Sequence, residues 1–151
     1  MITIKVAEFF DVEALIFLIA ELFQIETDFQ IDPVKQRAGL ELLLNSDNAQ
    51  IFVAQAQVDD SNQIVAMCSV QVLISTAEGA KVGMVEDLIV SEPYRRQGIG
   101  EKLLESLENW AQQQGLKRLQ LLADKNNQSA LGFYRQQNWQ TTQLIGLRKL
   151  F

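Results

Sequence analysis

The chain has 151 residues, a formal net charge of -6, a single cysteine and no histidine. That length suits one domain, residues 1–151, with a full hydrophobic core, while the acidic balance argues against nucleic acid and no apolar run nears the roughly 20 residues of a membrane span. Without histidine the commonest general base and metal ligand is missing, so no metal is expected and proton transfer falls to Glu, Asp, Tyr, Lys or water.

Residues 2–6 alternate as a half-buried strand does. Asp11 offers a helix N-cap, and Val12, Leu15, Ile16, Ile19, Leu22 and Phe23 supply the helix's apolar face. Asp32-Pro33 announces a second helix running to Leu44, because proline at the first helical position gives up only an N–H that would lack a partner there. Between the two lies a polar loop carrying Glu26 and Asp28, and Asp32 closes it. Apolar runs at 51–58, 63–75 and 82–90, separated by short polar turns, read as antiparallel neighbours. Cys68 lies in the middle run; as the only cysteine it permits no intrachain disulfide, which suits a reducing, cytoplasmic setting.

Ile99, Leu103, Leu104, Leu107 and Ala111 then recur at helical spacing, opposite Glu101, Lys102, Glu105 and Glu108, and Gly115 is placed to end that helix. A strand over 118–123, a short helix from Ser129 to about Gln137 and a last strand over 140–147 complete the chain. Strand, helix and strand from 82 to 123 form a crossover, so the fourth and fifth strands are parallel in an otherwise antiparallel sheet. The sum is an α/β (α+β) domain with a mixed sheet of six strands and about four helices.

The turn between the fourth strand and the third helix carries the chemistry. Arg95 and Arg96 are followed by Gly98 and Gly100 at the mouth of a helix, where unpaired N–H groups and the positive end of the helix dipole favour an anion. The glycines let that anion approach without a Cβ in the way. A P-loop would need Gly-Lys followed by Ser or Thr, which is missing here. A dinucleotide fingerprint would need a third glycine and an acidic residue about 20 positions on, where Lys117 and Arg118 stand instead.

Arg95-x-x-Gly98-x-Gly100, preceded by residues 86–94, resembles the acetyl-CoA pyrophosphate loop of the Gcn5-related N-acetyltransferase (GNAT) superfamily. Asn127-x-x-Ala130-x-x-Phe133-Tyr134, some 30 residues later, is similar to that family's second motif. The element order matches from end to end, so the resemblance spans nearly the whole chain. It implies a six- to seven-stranded sheet whose fourth and fifth strands splay apart, and an enzyme that moves the acetyl group of acetyl-CoA to a primary amine of a small molecule or peptide. It further implies that backbone amides from Arg96 through Gln97, Gly98, Ile99 and Gly100 to Glu101 hold the pyrophosphate, with Arg95 or Arg96 meeting a phosphate. The strand at Leu88, Ile89 and Val90 would receive the pantetheine arm, Asn127 would contact that arm, and Tyr134 would protonate the departing thiolate. Asn138-Trp139 departs from the family's usual Gly-Phe, but asparagine also tolerates a left-handed helix terminus. A homodimer is compatible with the resemblance.

The amine must lose a proton to react, because a lysine-like amine at neutral pH is uncharged in roughly one molecule in a few thousand. Glu86 is the first candidate for the base and for contact with the amine, Asp87 is the second, and an ordered water is the alternative to a dedicated base. Adjacent strand residues point to opposite faces, so only one addresses the cleft unless a bulge intervenes. A non-catalytic acyl-CoA-binding regulatory module would keep the same loop and is the competing expectation.

Overall fold

The computed structural model describes residues 1–151, in the order β1 (Ile2–Val6), α1 (Val12–Ile25), α2 (Pro33–Leu44), β2 (Ala49–Val58), β3 (Ser61–Ser75), β4 (Ala80–Val90), α3 (Ile99–Gln113), β5 (Leu119–Leu121) and α4 (Gln128–Gln136). The five strands form one sheet in sequential order. β1 to β4 are antiparallel. Lys117 N–H donates to the Lys81 carbonyl at 3.0 Å and Gly83 N–H to that of Arg118 at 2.8 Å, partners that rise together as a parallel pairing requires. Two compact units partition the chain, residues 1–120 and 121–151. No helix is long and apolar enough to cross a membrane.

Within the first unit the sheet is covered on both faces. Leu15, Ile16, Leu18, Ile19 and Leu22 of α1 and Leu40 of α2 pack with Ile51 and Val53 of β2, Met67 of β3 and Ile89 of β4. Phe52, which alternates with Ile51 and Val53, meets Trp110 of α3 edge-on with ring centroids 6.1 Å apart. Leu103, Leu104 and Leu107 of α3 are fully buried there. β2 and β3 turn over Asp59-Asp60, with Asp59 at φ 53°, a value short polar residues tolerate.

The local signals hold with two exceptions. Asp32 caps α2, its carboxylate accepting from Val34 and Lys35 N–H at 3.1 and 3.2 Å. Asp11 does not cap α1. A 3-10 turn over Phe9–Asp11 runs straight into the helix, and the buried Asp11 carboxylate accepts instead from Glu8 N–H at 2.9 Å and pairs with Lys5 Nζ at 2.8 Å. The sheet has five strands rather than six or seven, because residues 140–147 form none. Leu144, Ile145 and Leu147 are exposed, and the sheet takes no strand from this segment. A strand exists only through its ladder, and the adjacent pair Leu144-Ile145 followed by Gly146 presents no single apolar face to hold one in register.

Candidate functional site

β4 delivers the chain to the loop and also carries the two acidic candidates. Opposite β3 the register pairs Met67 with Ile89 but Ser69 with Glu86, so one extra β4 residue is accommodated across from Cys68. This is a β-bulge. Asp87 sits in it with φ 53°, outside the extended range of its neighbours, and the Ser69 hydroxyl, itself buried, donates to the Glu86 carbonyl at 3.2 Å. The bulge breaks the strict alternation of the strand just after the exposed Glu86, where the successive residues Asp87 and Leu88 are both partly buried. Burial, and then the neighbouring Glu86 charge, push the Asp87 carboxyl up to about 6. Both causes disfavour the anion, and no basic side chain pairs with it.

Beyond Val90 a 3-10 turn over Glu92–Tyr94 leads to an extended Arg95. Arg96 follows at φ 59° and Gly98 at φ 75°, and α3 begins at Ile99. The first helical bond runs from Lys102 N–H to the Gly98 carbonyl at 3.1 Å. The amides from Arg96 to Glu101 therefore precede the helical ladder, and none donates to a protein acceptor. A Cβ built on Gly98 meets nothing within 4 Å, so its left-handed backbone, not crowding, calls for glycine in the chain itself. An array of N–H donors at the positive end of a fifteen-residue helix fits a pyrophosphate.

The two arginines part company. Arg95 Nε donates to the Val90 carbonyl at 2.8 Å, and its Nη2 reaches Glu21 Oε1 on α1, also at 2.8 Å. The Arg95 guanidinium thus ties the end of β4 to α1 at the surface. Arg96 is exposed and makes no ion pair. Leu88 and Val90 are partly buried and Ile89 faces the α1 core, so this stretch of β4 has one wall already packed. Sequence reasoning missed Glu21 and Ser69. Glu21 lies 74 residues before its partner, and no motif marks it.

Asn127 and Tyr134 belong to the second unit. Asn127 caps α4, its Oδ1 accepting from Ala130 N–H at 3.1 Å, which leaves the amide nitrogen as its outward donor. α4 ends as its sequence suggests. Asn138 takes φ 65°, Asn138 N–H donates to the Arg135 carbonyl and Trp139 N–H to that of Tyr134 at 2.9 Å, the paired bonds of a Schellman end. Tyr134 packs against Trp139 at 5.9 Å and Phe133 at 5.4 Å between ring centroids, which restricts its ring.

A family profile for the acetyltransferase (GNAT) family matches residues 19–139. Among solved structures, an aminoglycoside acetyltransferase from an uncultured soil metagenomic sample is 26% identical, with a TM-score of 0.79 over 99% of this chain and 96% of that one. A transcriptional regulator from Bacillus halodurans C-125 superposes with a TM-score of 0.84 at 24% identity, covering 100% of both chains. Glucosamine-6-phosphate N-acetyltransferase from Arabidopsis thaliana does so at 0.76 with 20% identity, over 100% of this chain and 99% of that one. At those two identities the likeness is one of fold.

Proposed function

Because the chain belongs to the GNAT acetyltransferase family, whose members take acetyl-CoA as acetyl donor, we propose that it is an N-acetyltransferase acting on the primary amine of a small, cationic molecule. The observation that carries this reading is the run of amides from Arg96 to Glu101, which lie at the start of α3 without a protein acceptor. Those amides bind the pyrophosphate of coenzyme A, and Arg96 adds its side-chain charge to them. Acetyl-CoA, when bound, supplies the thioester carbonyl that the amine attacks directly, with both substrates held by the enzyme.

The chain's own residues govern the protons. Asp87 takes the proton from the ammonium, because a carboxyl held near 6 is largely ionised at neutrality yet is a stronger base than an ordinary carboxylate, a better match for proton transfer. Glu86 draws the cationic amine to β4 and holds the Asp87 carboxyl up. Tyr134 supplies a proton to the leaving sulfur, and the Asn127 amide nitrogen donates to the cofactor's arm. The soil relative acts on aminoglycosides, so these amines head the trial panel, followed by amino sugars, polyamines and peptide amines. Release of free thiol from acetyl-CoA in the presence of each amine is the test. Tight coenzyme A binding without turnover on any of them would instead identify a binding module.

A further inference from the structure

Glu21 lies in the second half of α1, a helix whose other side packs on the sheet. Its Oε1 accepts two hydrogen bonds from the loop after β4, one from Arg95 Nη2 and one from Glu92 N–H, both at 2.8 Å. Each answers a local deficit. Ser91 stands at the N-cap of the 3-10 turn but makes no side-chain cap bond, so without Glu21 the Glu92 amide has no acceptor. Arg95 is gripped at both ends of its guanidinium, by the Val90 carbonyl and by Glu21, so the direction in which the chain leaves β4 is set. Immediately afterwards Arg96 adopts φ 59°, a left-handed value that residues other than glycine seldom take and that persists only where the surroundings enforce it.

A carboxylate so close to a loop that accepts a diphosphate would repel it unless neutralised, and Arg95 does the neutralising. We infer that Glu21 is a positioning residue which, through Arg95 and the Glu92 amide, presets the 92–98 loop so that the amides from Arg96 to Glu101 converge before any cofactor arrives. It touches no reacting atom; it lowers the ordering cost of binding. Glu21 also lines a shallow surface pocket with Ala14, Phe17, Leu18, Gln63, Ile64 and Ser91, so water reaches the pair and its value lies in geometry more than in charge. The consequence for coenzyme A rests on the functional reading above, whereas the consequence for the loop does not.

The experiment therefore has two readouts on Glu21→Ala, Glu21→Gln, Arg95→Ala and the double variant. In the cofactor-free protein, hydrogen exchange at the amides of Tyr94, Arg95 and Lys102, which donate to the Ser91, Glu92 and Gly98 carbonyls rather than to Glu21, rises about tenfold in Glu21→Ala while the unfolding midpoint stays close to wild type. Glu21→Gln, which keeps an acceptor for the Glu92 amide, recovers most of that protection. By calorimetric titration, coenzyme A binding weakens about five- to tenfold in Glu21→Ala, with turnover at saturating acetyl-CoA within about twofold of wild type. Arg95→Ala, which strands the carboxylate, binds more weakly still, and the double variant binds no worse than Glu21→Ala. Unchanged exchange in Glu21→Ala overturns the inference whatever happens to affinity, as does a double variant whose losses multiply. If exchange rises but the wild-type chain binds no coenzyme A, the positioning role stands and the acetyltransferase reading falls.

Discussion

Replacing Asp87 with asparagine should stabilise the fold while removing activity, and the gain should depend on pH. In the folded chain the carboxyl is raised from 3.8 to about 6, chiefly by burial and then by Glu86. The folded state therefore holds this proton more tightly than the unfolded state does. Below pH 4 the group is largely neutral in both, and little stability is at stake. As pH rises from 4 to 6, the unfolded chain ionises first and draws the equilibrium toward itself, so stability is lost across that window. The rise from 3.8 to about 6 corresponds to about 3 kcal/mol once the window has been crossed. Asparagine keeps the size and polarity but never ionises. The difference in unfolding free energy between Asp87→Asn and wild type should thus be under about 1 kcal/mol at pH 4, between about 1 and 2 at pH 5, and near 3 at pH 8. Urea unfolding of both proteins at these pH values measures it directly, and at pH 8 the midpoint temperature should rise by roughly 6 to 12 °C for a chain of this size. A difference that is flat with pH, or a wild type more stable than the variant at pH 8, would refute the argument that Asp87 is a strained, uncompensated carboxyl.

Three further outcomes bear on the site. The acid limb of the pH–rate profile should fall as pH drops through about 6, and Glu86→Gln should move it to lower pH by a fraction of a unit, because one of the two causes raising Asp87 is removed; collapse of turnover in Glu86→Gln at every pH would make Glu86 the base. Gly98→Val should leave the domain folded, since nothing lies within 4 Å of the new Cβ, yet weaken coenzyme A binding at least about tenfold by straining the φ 75° backbone and crowding the amides; unaltered affinity by titration would place the anion elsewhere. Tyr134→Phe should lower turnover by about 10²-fold or more with little change in cofactor affinity, and an unchanged rate would remove it as the acid.

Much of the site was legible because its signals are local. Asp32-Pro33 starts a helix by the chemistry of two neighbouring residues, and Gly115 and Asn138 end helices because they tolerate φ 74° and 65°. The same holds for the loop: Gly98 and the helical pattern from Ile99 onward together dictate a run of amides before a helix. The run at 140–147 misled because apolar composition suggests a strand, while a strand requires a partner that composition does not name. Asp11 misled for a related reason, since its side chain found a partly buried lysine and a preceding amide that competed with capping.

The order of elements as far as α4, the family and the glycine turn before α3 follow from the sequence by itself, since their signals rest on motifs of residues a few positions apart. Which carboxylate is perturbed, and what braces the loop, were decided only in three dimensions. The bulge at Asp87 arises from how β4 registers against β3, and the brace joins Glu21 to Arg95 across 74 residues. Register and long-range pairing emerge when the whole core packs, and short-range propensity carries no record of either.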